Sequence, residues 1–253
     1  KALIGDDLSG RLADVFERGA GPTVATHRLN YQTLRAQASG WARANAGSLV
    51  RSISLEQRAQ IALRVSDTLA QIATRRTGAS FAVPRLDDPR TFRGLVDQAT
   101  RRIRPLVGLT PAQMGYVENY RKELERSLQT GDYRAPNARR LSANIKRLNE
   151  DRIDKLVAQY GERWRSHRAA TIAATETHRA LQAGQREALE IAARSGRNVP
   201  TGLIWVGGTC GHCAAMTGQI VDVIGGRFTD RGSLVTHPPL HPFCRCSLSP
   251  VSL

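Results

Sequence analysis

Cys210-Gly211-His212-Cys213, followed about thirty residues later by His237-Pro238-Pro239-Leu240-His241-Pro242-Phe243-Cys244-Arg245-Cys246, decides how this chain folds. All four cysteines lie in these two clusters. A C-x-x-C turn lets two sulfurs point at one centre. A C-x-C in extended backbone puts side chains i and i+2 on one face, with Arg245 turned away. Cys210, Cys213, Cys244 and Cys246 can therefore converge on a tetrahedral Zn2+. His241 can replace one of them, and His212 or His237 can donate hydrogen bonds from behind the ligands. Disulfides or packed thiols are an open alternative, as is thiol redox chemistry.

Working outward from the clusters, Gly196 to Pro200 reads as a hinge. Beyond it the apolar pattern alternates: Leu203-Ile204-Trp205-Val206 is one strand and Ile220-Val221-Asp222-Val223-Ile224 another. Gly225-Gly226 then turns the chain toward Phe228. The result is a β-rich cap of about fifty residues, too small to rely on an apolar core alone, for which the cysteines supply a staple.

Upstream the period is helical. Residues 6 to 18 read as a short amphipathic helix. Asn30 caps a second helix through Leu34, Ala38, Trp41 and Ala42 that stops near Gly47. Ser54 with Gln57 forms a capping box for a third, carrying Ile61, Val65, Leu69 and Ile72 on one face and ending at Thr77-Gly78. A break rich in Pro and Asp, residues 80 to 89, precedes a helix over 91–103. There Arg101, Arg102 and Arg104 suit the negative carbonyl end. Thr110-Pro111-Ala112-Gln113 then starts a helix running to Leu128. After a turn at 131–136 comes the longest helical tract, 137 to 193, for which Gly161 or Gly184 is the expected interruption.

These readings give a mainly α protein: an extended body of long helices followed by a small C-terminal α+β cap stapled by a Cys/His cluster. The expected segments are an N-terminal helical region, 1–109, a long-helix region, 110–198, and the Cys/His domain, 199–253. No apolar run reaches the length needed to cross a bilayer, so no membrane partner is expected.

The formal charge is +15. Only Lys1, Lys122, Lys146 and Lys155 are lysines; the rest of the 37 basic residues are arginines. Guanidinium forks suit phosphates, and a net charge this large promotes non-specific binding to nucleic acid. The candidates for contact with DNA are Arg139, Arg140, Lys146, Arg147, Arg163, Arg165 and Arg168, a basic face diluted by Glu150, Asp151, Asp154 and Glu162. Glu176 lies four residues after Ile172 and four before Ala180, on a partly buried helix face. A buried carboxylate calls for a guanidinium, so a structural ion pair with Arg179, or with Arg168, is expected rather than a catalytic base.

The pairing of C-x-x-C with Pro238-Pro239-Leu240-His241-Pro242-Phe243-Cys244-Arg245-Cys246 resembles the phage Mu F-like minor head proteins, also called phage head morphogenesis proteins. Ala169-Ala170-Thr171-Ile172-Ala173-Ala174-Thr175-Glu176-Thr177-His178-Arg179-Ala180 is similar to a second segment of that family. The resemblance covers residues 110 to 250, and 30 to 110 more loosely. It implies a structural, non-enzymatic virion component acting in head assembly, packaging or genome delivery. It places the protein at the portal vertex or capsid interior of heads assembled in the bacterial cytoplasm. The implied partners are the portal or major capsid protein and packaged double-stranded DNA, with no small-molecule substrate. Two other readings stand beside it. A zinc-ribbon nucleic-acid-binding protein, toxin or nuclease fits charge and cysteines, but no acidic pair at metal spacing is present. Cys-Gly-His-Cys also matches a thiol-disulfide oxidoreductase tetrapeptide, yet no βαβ pattern precedes it.

Overall fold

The computed structural model describes residues 31–48, 50, 52–71, 89–131, 148–196, 198–207, 211, 213–242, 244 and 246–252. The helix expected over 6–18, the helix end expected at Thr77-Gly78, residues 80–88 of the expected break and the beginning of the longest helical tract lie outside them. So do Cys210, His212 and Arg245.

Helix α1 spans Tyr31–Asn45, α2 Leu55–Gln71, α3 Pro89–Ile103, α4 Pro111–Thr130 and α5 Glu150–Arg194. The strands are β1 Gly202–Val206, β2 Ile220–Asp222, β3 Phe228–Asp230, β4 Ser233–Val235 and β5 Ser247–Val251. This is the expected architecture: long helices, then a small β-containing cap.

Two capping boxes start helices where the sequence places them. The Gln57 N–H donates to Ser54 Oγ at 3.1 Å while the Ser54 N–H donates to Gln57 Oε1 at 3.0 Å. The Gln113 N–H likewise donates to Thr110 Oγ1 at 3.2 Å and the Thr110 N–H to Gln113 Oε1 at 3.0 Å. Each box satisfies two of the donors that a helix start leaves bare. Gly131 ends α4 in the left-handed region, φ 65°, where a side chain would be strained.

The long helix departs from expectation. Neither Gly161 nor Gly184 interrupts α5, which runs unbroken for 45 residues. The helix starts instead at Asn149, whose Oδ1 accepts from the Arg152 N–H at 2.9 Å. Gly184 has a different purpose: a Cβ there would lie 2.6 Å from the Ala38 backbone nitrogen, so its bare Cα lets α1 come close to α5.

The chain forms two compact units, one of Lys1–Leu106 with Ala169–Leu253 and one of Val107–Arg168. The division groups the chain by packing, whereas the three consecutive segments read from the sequence follow the change of period. In the smaller unit α4 and the first part of α5 enclose Leu124, Ile153 and Val157. Alongside them lies an aromatic seam, with Tyr120–Tyr160 centroids 4.5 Å apart and Tyr116–Trp164 5.3 Å.

In the larger unit α1 packs on α2 and α2 on α3. Ala38, Ala42, Ile61, Val65, Leu69, Phe92 and Ile103 are buried there, together with Ala173 and Ala180 of α5. The cap of this unit has a three-stranded antiparallel sheet in the order β2-β1-β5, and a separate β3-β4 hairpin. Trp205 faces Ser247–Val251 across the β1-β5 ladder, opposite Leu248. The sequence shows β1 and β2, but β2 ends at Asp222 and the chain turns before Ile224. The cap core joins Leu203, Trp205, Met216, Phe228 and Leu248 to Leu189 and Ala192 of α5.

Candidate metal centre and the polar face of the long helix

Two loops of the cap deliver two sulfurs and one nitrogen. Cys213 stands in the turn after β1, before the short 3-10 helix Ala214–Met216. His241 and Cys244 come from the proline-rich loop that leads into β5. Cys213 and Cys244 are buried and His241 is half-buried. Cys213 Sγ lies 3.5 Å from His241 Nε2 and 3.6 Å from Cys244 Sγ. All three ligand atoms fall within 4.8 Å of one another, a group that can hold a metal ion.

The fit can be tested by geometry. Bonds of ~2.3 Å to sulfur and ~2.0–2.1 Å to nitrogen at tetrahedral angles require sulfur–sulfur edges of ~3.8 Å and sulfur–nitrogen edges of ~3.6 Å. The observed separations match those edges. The His241 ring is also set correctly: its Nδ1–H donates to the Pro242 carbonyl at 2.8 Å, so Nε2 is the unprotonated nitrogen that can ligate a metal.

Cys246, also named from the sequence as a ligand, does not join this group among the described residues. It is buried. The neighbouring Cys246 thiol holds the Cys244 thiol below its ordinary range, against the opposing effect of burial. The same pairing, reinforced by burial, pushes Cys246 upward. His237 stands apart, its ring 5.1 Å from Trp41 and its Nδ1–H donating to the Pro238 carbonyl at 2.9 Å.

One face of α5 holds the cap from below. His178 Nε2–H donates to the Cys246 carbonyl at 2.9 Å, and the Leu248 N–H donates to Gln182 Oε1 at 2.8 Å. Arg186 donates to the Thr236 carbonyl at 2.8 Å and to the Gly226 carbonyl. Sequence reasoning missed these three residues. Their spacing of four, a polar line through alanines and leucines, is the signal that could have found them.

Two residues before His178, Glu176 is buried. Burial raises its carboxyl above the usual range, opposed by the Gly47 N–H and by the charge of Arg179. Arg179 Nη1 donates to Ser48 Oγ at 2.5 Å, and its guanidinium lies 5.1 Å from the Trp41 ring centroid. Glu176 and Arg179 thus both reach the α1–α2 turn, one through its backbone and the other through Ser48.

The candidate DNA contacts are distributed unevenly. Arg163 and Arg165 are exposed, Arg165 paired with Glu162 at 2.5 Å. Arg168 is buried and its Nη1 donates to the Gly108 carbonyl at 2.7 Å. Arg139, Arg140, Lys146 and Arg147 lie outside the described residues.

A long-helix protein with a Cys/His-bearing β cap is the class that fold and site define. The family described as Phage Mu protein F like protein matches residues 118–249, and the chain belongs to that family. No curated protein and no solved structure matches it. The family assignment supports a phage head morphogenesis protein.

Proposed function

We propose that this protein is a structural minor head component, bound to the portal or to the inner capsid, acting in head assembly, DNA packaging or genome delivery without catalysis. The observation that carries the reading is the family match over α4, α5 and the cap, which includes the Cys/His centre. Two thiolates and an imidazole form a soft donor set that favours Zn2+ over hard oxygen-seeking cations. Cys213 meets His241 and Cys244 from across the cap, which supports a structural staple over an exchanging dithiol. The exposed Arg163 and Arg165, with a formal charge of +15, support non-specific contact with packaged double-stranded DNA.

The test is fractionation of heads assembled with and without this protein. We expect it to cosediment with portal-containing heads and to carry one zinc per chain. Recovery as a free protein that cleaves nucleic acid or reduces disulfides refutes the reading. Salt-dependent retention of DNA by the purified chain, reduced by substituting Arg163 and Arg165, checks the DNA contact separately.

A further inference from the structure

We infer that the outer side of α3, where Arg93 and Arg101 stand exposed with Arg104 just beyond, is a second surface for duplex DNA that holds backbone phosphates without reading sequence. The inference rests on the DNA contact proposed above and assigns part of it to residues outside 139–168. The sequence connects Arg101 and Arg104 only with the carbonyl end of their helix.

Helical geometry settles which arginines are available. Phe92, Leu95, Val96, Ala99 and Ile103 are buried, and Arg102 is half-buried with its Nη1 3.5 Å from Thr68 Oγ1. Arg93 and Arg101 share the opposite side of α3, and exposed Arg104 follows in the 3-10 turn Arg104–Leu106. Asp97 lies between them, also exposed. Even so, among the described residues no ion pair joins Arg93 or Arg101 to a carboxylate. Basic residues elsewhere are engaged: Arg121 with Asp154 at 2.6 Å, Lys122 with Glu118 at 2.6 Å and Arg194 with Glu190 at 2.7 Å.

The chemistry of this side selects the partner. Among the described residues of α3 no large apolar side chain is exposed. Protein interfaces centre on apolar and aromatic anchors, which this side lacks, whereas a phosphate backbone needs only cations. Gly94 leaves the helix surface open, since a Cβ there would meet nothing within 4 Å. From Arg93 to Arg104 the helix rises ~16 Å. A duplex carries one phosphate charge per ~1.7 Å of its axis, so this strip meets several phosphates at any sequence.

The experiment measures the affinity of the full chain for a duplex of arbitrary sequence across a salt series. It compares the parent with Arg93→Gln/Arg101→Gln/Arg104→Gln and with Lys122→Gln/Arg126→Gln/Lys155→Gln, which removes the same charge from other exposed positions. Each phosphate contact contributes about −0.9 to the slope of log affinity against log salt. The α3 variant should therefore lose about 2–3 from the steepness of that slope, and the control less than about 1. Asp97→Asn should strengthen binding at fixed salt.

Equal losses in the α3 variant and the control overturn the inference, because bulk charge alone then governs binding. An unchanged slope in the α3 variant overturns it too; if that variant also fails to cosediment with heads, the surface docks a protein instead. A parent chain that retains no duplex at low salt is a different outcome: it refutes the DNA reading itself.

Discussion

Gly184→Ala and Gly161→Ala are the same substitution in the same helix, and the structure predicts opposite signs. In a helix interior alanine is favoured over glycine by about 1 kcal/mol, so both replacements begin with that gain. At Gly161 the new methyl meets only Leu109 and Val117 side chains at 3.9–4.0 Å, ordinary contact distances. The gain survives, and the melting temperature should rise by about 2–4 °C. At Gly184 the methyl meets Ala38 N at 2.6 Å, Ala38 Cβ at 2.7 Å and Ala38 Cα at 2.8 Å. None of these atoms can rotate away, so α1 itself must move. Overpacking costs about 1–3 kcal/mol, and an unyielding backbone places this case at the upper end. The net loss is about 2 kcal/mol, or a fall of about 4–8 °C. Thermal unfolding followed by circular dichroism reads the sign. Hydrogen exchange resolved to α1 reads the cause, since its amides should lose protection only in Gly184→Ala. Equal stabilisation by both substitutions refutes the close approach of α1 to α5.

Three further outcomes follow from the same unit. Chelation, or Cys213→Ala, should release the metal and unfold the cap; buried Trp205 should report this by a red-shifted emission, while α1–α3 retain their helicity. The pH dependence turns on His237, whose pKa is lowered from 6.5 to about 4, first by burial and then by the charges of Arg179 and Arg186. The unfolded state binds the proton more tightly, so stability present above about pH 6.5 is lost as the pH falls toward 4. The loss is about 2–3 kcal/mol, and His237→Gln should flatten that slope in urea titrations across the window. For Glu176 burial raises the carboxyl, so its charged form destabilises the fold above the unfolded value of 4.5. At pH 8 Glu176→Gln, which keeps an acceptor for the Gly47 N–H, should match or exceed the parent in a melting experiment. Glu176→Ala should fall below it by about 1–3 kcal/mol.

What could be read in advance is what neighbouring residues decide. Ser54 with Gln57 and Thr110 with Gln113 announce their helix starts because both partners of each capping box lie within four residues. The alternation of Leu203 to Val206 announces β1 for the same reason. Gly184 misleads because a glycine that weakens a helix and a glycine that admits a neighbouring helix look alike until Ala38 is seen beside it. β5 escapes because Ser247-Leu248-Ser249-Pro250-Val251 has little β propensity of its own and becomes a strand through its pairing with β1. The cysteine quartet divides in a similar way. Its spacing brings Cys213 and Cys244 together, but Cys246 stays outside the group they form with His241, and the residues that hold the backbone around Cys246, His178 and Gln182, lie sixty or more residues away in the chain.

That grip and the metal centre have different tasks, and their magnitudes separate them. The hydrogen bonds from His178, Gln182 and Arg186 to the cap are worth on the order of 5 kcal/mol together, because each replaces a bond to water. Structural zinc in a small domain contributes about 10–16 kcal/mol. If the Cys/His centre holds zinc as proposed, a cap with a core as small as that around Trp205 and Phe228 depends on it to fold at all. The polar line on α5 cannot substitute for the metal, but it can do what a metal cannot, which is to choose where on the helix the cap sits. Each of its bonds ends on a particular backbone atom: the carbonyls of Cys246, Thr236 and Gly226, and the amide of Leu248. Sliding the cap by one helical turn breaks all of them and buries their polar groups unpaired, a larger penalty than the bonds were worth. On the zinc reading the sulfur centre fixes whether the cap folds, and the spacing of four along α5 fixes its register.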